Sequence, residues 1–126
     1  MRRKKITIGI IALTGLIAVA ATTPDEKYTN LKVLPKNISS NELAKIMVDE
    51  FTDGLGVSCT YCHAEDKDTH KPDYASDEKP QKLAARKMMQ MTLEMNKKYF
   101  DISHPVIGDA QMMVTCNTCH NGKPKP

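Results

Sequence analysis

The chain has 126 residues, 18 Lys+Arg against 15 Asp+Glu, a formal net charge of +3, and few aromatics: two Phe, four Tyr and no Trp. That length suits one domain and is too short for two sizeable cores. Four of the basic residues are Arg2, Arg3, Lys4 and Lys5; without them 14 Lys+Arg face 15 Asp+Glu, about −1, which gives no reason to expect nucleic acid as a partner.

Those four residues precede an uncharged run, Ile6 to Ala21, with small residues at Ala18-Val19-Ala20. The pattern is that of a secretory signal peptide over residues 1–20. The run is 16 residues long, short of the ~20 that span a bilayer, so cleavage is favoured over retention as an uncleaved anchor. No cysteine lies near its end to carry a lipid. Residues 21–36 read as an extended N-terminal arm, with Pro24 and Pro35 bracketing Leu31-Lys32-Val33-Leu34, and residues 37–126 as the folded domain.

The domain opens with a helix near Ser39, whose hydroxyl can cap it while Glu42, three residues on, completes a capping box. Leu43, Ile46, Met47, Glu50 and Phe51 follow at helical spacing, which puts Met47 on the mainly apolar face. Gly54 and Gly56 end the helix and turn the chain into Cys59-Thr60-Tyr61-Cys62-His63. Residues 64–79 are mostly charged or turn-forming and predict a solvent-exposed loop. A longer helix is expected from just after Asp77 to about Tyr99, with Pro80 in its first turn, where a missing amide proton matters little. Leu83/Ala84, Met88, Met91 and Met95 recur at three- and four-residue steps and predict an inward face rich in methionine. His104-Pro105 breaks the pattern, and a loop leads to Cys116-Asn117-Thr118-Cys119-His120. The expected fold class is mainly α: two helix-turn-CxxCH units, like one unit duplicated, with few or no strands.

The two pentapeptides consume all four cysteines. CxxCH is the attachment signature of c-type haem, because two thiols at this spacing can add to the two vinyl groups of one porphyrin while the following histidine ligates the iron. Cys59, Cys62 and His63, and Cys116, Cys119 and His120, are therefore the expected binding residues of two haem c groups, with His63 and His120 on iron. A four-cysteine zinc site is the main competitor, but its linker is usually short, whereas 53 residues separate Cys62 from Cys116, and it needs no histidine after each pair. Structural disulfides and a thioredoxin-like motif are further readings of CxxC, the latter lacking its strand-helix context. Two porphyrins would also offer apolar bodies to a chain poor in aromatics. Their attachment takes place outside the bacterial cytoplasmic membrane, where the signal peptide would send the chain, so a periplasmic or otherwise extracytoplasmic location is expected.

The sixth iron position decides whether each site carries electrons or does chemistry. A methionine thioether closes it and raises the reduction potential. Met47, 12 residues before Cys59, suits the first iron; Met88, Met89, Met91, Met95, Met112 and Met113 are all candidates for the second. Packing is the competing role for each, since methionine fills irregular apolar gaps. His70 and His104 have no helix to aim them and read as solvated.

With those residues in view, Asn30-Leu31-Lys32-Val33-Leu34-Pro35, Leu55-Gly56-Val57-Ser58 and the first CxxCH, Ala85-Arg86-Lys87-Met88-Met89-Gln90-Met91-Thr92 through Asn96, and Val114-Thr115 and the second CxxCH with Gly122 resemble the haem-binding cytochrome subunit of photosynthetic reaction centres. That subunit carries four haems, and the chain is similar to its first two-haem half. The resemblance implies that Met47 and Met88 are the sixth ligands and Met91 is packing. Arg86 sits where a cation could pair with a haem propionate, or could simply be solvated. The stretch from Asn96 to Cys116 is longer than in the family, and with two haems fewer the feeding of a photosynthetic special pair does not carry over. Expected instead is an electron carrier, not an enzyme, whose partners are redox proteins of the cell envelope, with a membrane involved only if the N-terminal segment is kept. The alternative is a haem enzyme or gas or peroxide sensor with one open iron.

Overall fold

The computed structural model describes residues 28–126; the expected signal peptide or anchor and the start of the arm lie outside the described residues. Among the described residues no helix is long and apolar enough to cross a membrane. The described residues are mainly helical, with one two-stranded hairpin among them.

Helix α1 runs Ser40–Ile46, and the Ser39 hydroxyl accepts from the Glu42 amide at 3.3 Å, so half of the expected capping box forms. The sequence predicts one uninterrupted α-helix to Gly54, but from Met47–Asp53 the chain widens into a π-helix. The Thr52 hydroxyl donates to the Met47 carbonyl at 3.3 Å, across this wider turn. More residues per turn let Leu43, Met47, Phe51 and Thr52 share one face, while Ile46 faces the core. Periodicity of apolar residues cannot distinguish the two helix types over so short a stretch.

The first pentapeptide forms the single turn α2 (Cys59–Cys62). The loop predicted after it is exposed in the main, yet holds a small antiparallel hairpin, β1 (Ala64–Glu65) against β2 (Pro72–Asp73), with Ala64 opposite Asp73. Asp66 closes its turn, accepting from the Thr69 amide and hydroxyl, both at 2.7 Å. Helix α3 spans Pro80–Tyr99, about 30 Å at 1.5 Å per residue, and begins on the proline as expected. The second pentapeptide is helix α4 (Cys116–His120).

The inward face of α3 differs from the predicted one. Lys82, Met89, Thr92 and Asn96 are buried, whereas Leu83, Met88 and Met91 are exposed and Met95 is half-buried. Apolar spacing misleads here because the buried polar side chains carry their own partners: Lys82 Nζ donates to the Tyr74 and Ser76 carbonyls, Thr92 Oγ1 to the Met88 carbonyl, and Asn96 to Val114. The core joins Leu34, Ile38, Ile46, Met89, Ile107 and Met112, with Tyr28, Leu31 and Val33 of the arm laid against it. Gly108 lies so close to Ile46 that a Cβ there would meet Cγ1 at 2.8 Å.

The two halves are not independent copies. The peptide leading to α2 crosses the peptide leaving α4, where the Gly122 amide donates to the Gly54 carbonyl at 3.1 Å. Gly56, at φ +64°, and Gly122, at φ +75°, make the turns that allow this approach. A Cβ on Gly56 would run into the Gly122 carbonyl oxygen. The Gly56→Ala variant should therefore lose more stability than the roughly 1–2 kcal/mol of left-handed strain alone. Denaturant unfolding measures this; a loss below that range would show that the crossing yields easily.

Candidate haem sites

The first pentapeptide faces a cavity of about 740 Å³. Cys59, Cys62 and His63 share its wall with Met47 and Phe51 from the π-helix, Leu31 and Val33 from the arm, and Lys82, Arg86 and Met89 from α3. The cavity falls in the size range of small-molecule and cofactor sites. The Tyr74 ring meets the His63 imidazole edge-on, centroids 5.1 Å apart. His63 Nδ1 is enclosed and has no hydrogen-bond partner. Burial, then the Lys82 charge, hold this imidazole below the ordinary histidine value, and the neighbouring Tyr74 backbone only partly opposes them. Burial pushes the Cys62 thiol up, against the pull of Lys82 and Lys79.

Two cations back this cavity. Lys82 is almost enclosed; its Nζ lies 2.7 Å from the Tyr74 carbonyl, 2.6 Å from that of Ser76 and 3.7 Å from the Asp77 carboxylate. Burial, then the Arg86 charge, lower its affinity for a proton. Arg86 donates to Asp77 at 2.7 Å and to the Asn30 carbonyl at 3.0 Å, with a side chain only 16% exposed. It is thus not the solvated helix arginine that one reading of the sequence allowed. Desolvation works against ionisation of Asp77, but hydrogen bonds from Arg86 and Asn30 prevail and keep its carboxyl below the usual range. Asp77 pairs with both cations, and the Asp73 carboxylate also acts on Lys82 and on His63.

The second pentapeptide is built differently. His120 is buried, and its Nδ1 lies 2.9 Å from the Lys123 carbonyl, so this nitrogen donates and Nε2 is left as the free ligand atom. The Lys123 carbonyl is held in turn by the glycine crossing one residue earlier. Glu50, from the π-helix, faces the start of α4, its Oε2 3.4 Å from the Cys116 amide. Burial, then the Glu50 charge, push the Cys116 thiol up to about 12. Thr118 Oγ1 accepts from the Thr115 amide at 2.9 Å and closes the turn.

None of the four cysteines is in a disulfide. Among the described residues no group of His, Cys, Asp or Glu is gathered as a metal site, which places the two cysteine pairs apart rather than around one zinc. The structure brings Cys59, Cys62, His63 and Met47 to one cavity. It separates the methionines that spacing left as alternative candidates for the second iron: Met89 lines the first cavity, Met112 is in the core, and Met88 is 43% exposed on the outer side of α3. His104 is exposed, with Nδ1 3.1 Å from the Ser103 hydroxyl, and His70 is exposed. Sequence reasoning missed Lys82 and Glu50 as neighbours of the pentapeptides, and considered Met89 for the second site only. The three- and four-residue steps linking Lys82, Arg86 and Met89 could have signalled the α3 residues, whereas nothing local signals Glu50.

Residues 10–126 match the family described as photosynthetic reaction centre cytochrome C subunit. The chain belongs to that family. It is 35% identical over 95 residues to cytochrome c-554 of Chloroflexus aurantiacus, covering 75% of this chain and 20% of that protein. It is 38% identical over 104 residues to the photosynthetic reaction center cytochrome c subunit of Rubrivivax gelatinosus, covering 81% and 24%. With the Roseobacter denitrificans subunit the figures are 32% over 103 residues, 71% and 25%. The chain thus spans about a fifth to a quarter of the length of these relatives. No solved structure matches it. Membership of a c-type cytochrome family implies haem c, and the first site fits it: two thiols, an imidazole with an orphaned buried nitrogen and a methionine share one largely apolar cavity.

The Lys82 side chain joins α3 to the loop over this cavity. Lys82→Met should destabilise the fold by about 1–3 kcal/mol, because two carbonyls lose their donor, whereas Lys87→Met, on the exposed side of α3, should stay within about 0.5 kcal/mol of the parent. Equal effects of the two, by denaturant unfolding, would contradict that role for Lys82.

Proposed function

We propose that this chain is an extracytoplasmic electron carrier holding two covalently attached haem c groups, each closed by histidine and methionine. Cys59 and Cys62 attach the first haem and His63 and Met47 ligate its iron; Cys116 and Cys119 attach the second, with His120 and Met88 on iron. Haem c supplies a one-electron couple, and no acid or base of the chain is needed for chemistry on a substrate. The observation that carries the reading is the shared wall of the first cavity, where Cys59, Cys62, His63 and Met47 meet.

The chain's own groups support this role. Apolar residues of the arm and π-helix line the first cavity, and the cations Lys82 and Arg86 on its wall suit the carboxylates of a porphyrin. At the second motif, the bond from His120 Nδ1 to the Lys123 carbonyl fixes the tautomer that presents Nε2. Met88 and Met91 form apolar surface on α3 that a flat cofactor could cover. Residues 1–20 act as the signal peptide, or as an anchor where they are kept. The partners are redox proteins of the cell envelope.

Visible spectroscopy of the purified protein should give low-spin c-type bands with a thioether-to-iron charge-transfer feature, unchanged when carbon monoxide is added to the reduced form. Prompt binding of carbon monoxide by the parent protein would contradict closed coordination. Met47→Ala should open one iron to carbon monoxide and lower its potential, since loss of the thioether removes the ligand that raises it. Met89→Ala should leave both irons closed. The reverse outcome for this pair would assign Met89 as the ligand.

A further inference from the structure

We infer that Asn96 is a positioning residue of the second haem site, its carboxamide setting the register between helix α3 and the peptide that delivers Cys116, Cys119 and His120. The inference rests on the two-haem reading above and deepens it.

Asn96 is completely buried, in a helix where an apolar side chain would pack without a partner. Its Nδ2 donates to the Thr92 carbonyl at 2.9 Å and to the Val114 carbonyl at 2.7 Å. Its Oδ1 accepts from the Met113 amide at 2.8 Å and the Val114 amide at 3.0 Å. Both donors and both acceptor positions of the carboxamide are filled, three of the four by residues 17 or 18 positions further along the chain. The Asn96 backbone carbonyl also accepts from the Phe100 amide at 3.2 Å and the Ile102 amide at 3.3 Å, so the same residue ends α3 and receives the returning chain.

Such bonds are directional where apolar contact is not. Met88 lies eight residues before Asn96, about 12 Å along the axis, and Cys116 lies two residues after Val114. A slip of one residue between the two segments would move Met88 by about 1.5 Å and turn it by about 100° relative to the second motif. An apolar residue at position 96 could keep α3 on the core while permitting that slip. The carboxamide forbids it.

The test compares the parent holoprotein with Asn96→Leu, which keeps bulk and burial, and Asn96→Asp, which keeps the oxygen facing the Met113 and Val114 amides. Carbon monoxide binding and the potential of each haem are measured, together with amide exchange at Met113 and Val114. Asn96→Leu should open one haem to carbon monoxide and shift its potential while the other haem is unchanged, with Asn96→Asp intermediate. The two amides should exchange about tenfold faster in Asn96→Leu, as loss of roughly one hydrogen bond each implies. Equal disturbance of both haems, or of neither, would overturn the inference. Should Asn96→Leu fail to accumulate, Asn96→Asp decides by the same criterion. A parent protein whose second iron already binds carbon monoxide contradicts the ligation proposed above; the potential of that haem and the amide exchange then decide the role of Asn96.

Discussion

One backbone hydrogen bond, from the Gly122 amide to the Gly54 carbonyl, ties the peptide entering the first CxxCH to the peptide leaving the second. It forms because residues 56 and 122 are glycines at positive φ, where the two chains touch with no room for a Cβ on Gly56. Much of the site geometry follows from this contact. The segment pinned at Gly122 carries the Lys123 carbonyl that orients His120, and the π-helix that ends at the crossing brings Glu50 to Cys116 and turns Met47 to the first cavity.

Each CxxCH is completed by the other half of the chain. Helix α3, which precedes the second motif, supplies Lys82, Arg86 and Met89 to the first cavity, and the π-helix, which precedes the first motif, braces the second. A duplicated unit read along the sequence thus becomes an interlocked pair in space. This arrangement would suit the proposed relay, since two haems held on shared elements would keep a fixed separation. It also draws the core from both halves, Leu34, Ile38 and Ile46 from the first and Met89, Ile107 and Met112 from the second.

The local structure of this chain was legible in the sequence where the signal lies in neighbouring residues. The CxxCH pentapeptides, the Ser39 cap and the proline that opens α3 are each set by neighbouring residues. The inward face of α3 was not. Counting apolar residues favours Met88, Met91 and Met95, yet the polar Lys82 and Asn96 are buried with Met89 and Thr92, because carbonyls and amides outside the helix satisfy them. The same blindness left Met89 among six open candidates for the second site, when a one-residue step around the helix from Met88 puts it on the first cavity. The π-helix was hidden as well, since its apolar spacing over seven residues fits an α-helix equally.

The central claim is that one short chain of this cytochrome family carries two covalent haems. Mass spectrometry of the purified, denatured protein, followed by peptide mapping, tests it directly. Two haems per chain are expected, one on the peptide containing Cys59 and Cys62 and one on that containing Cys116 and Cys119. A single haem, or unmodified thiols at either pair, would contradict it.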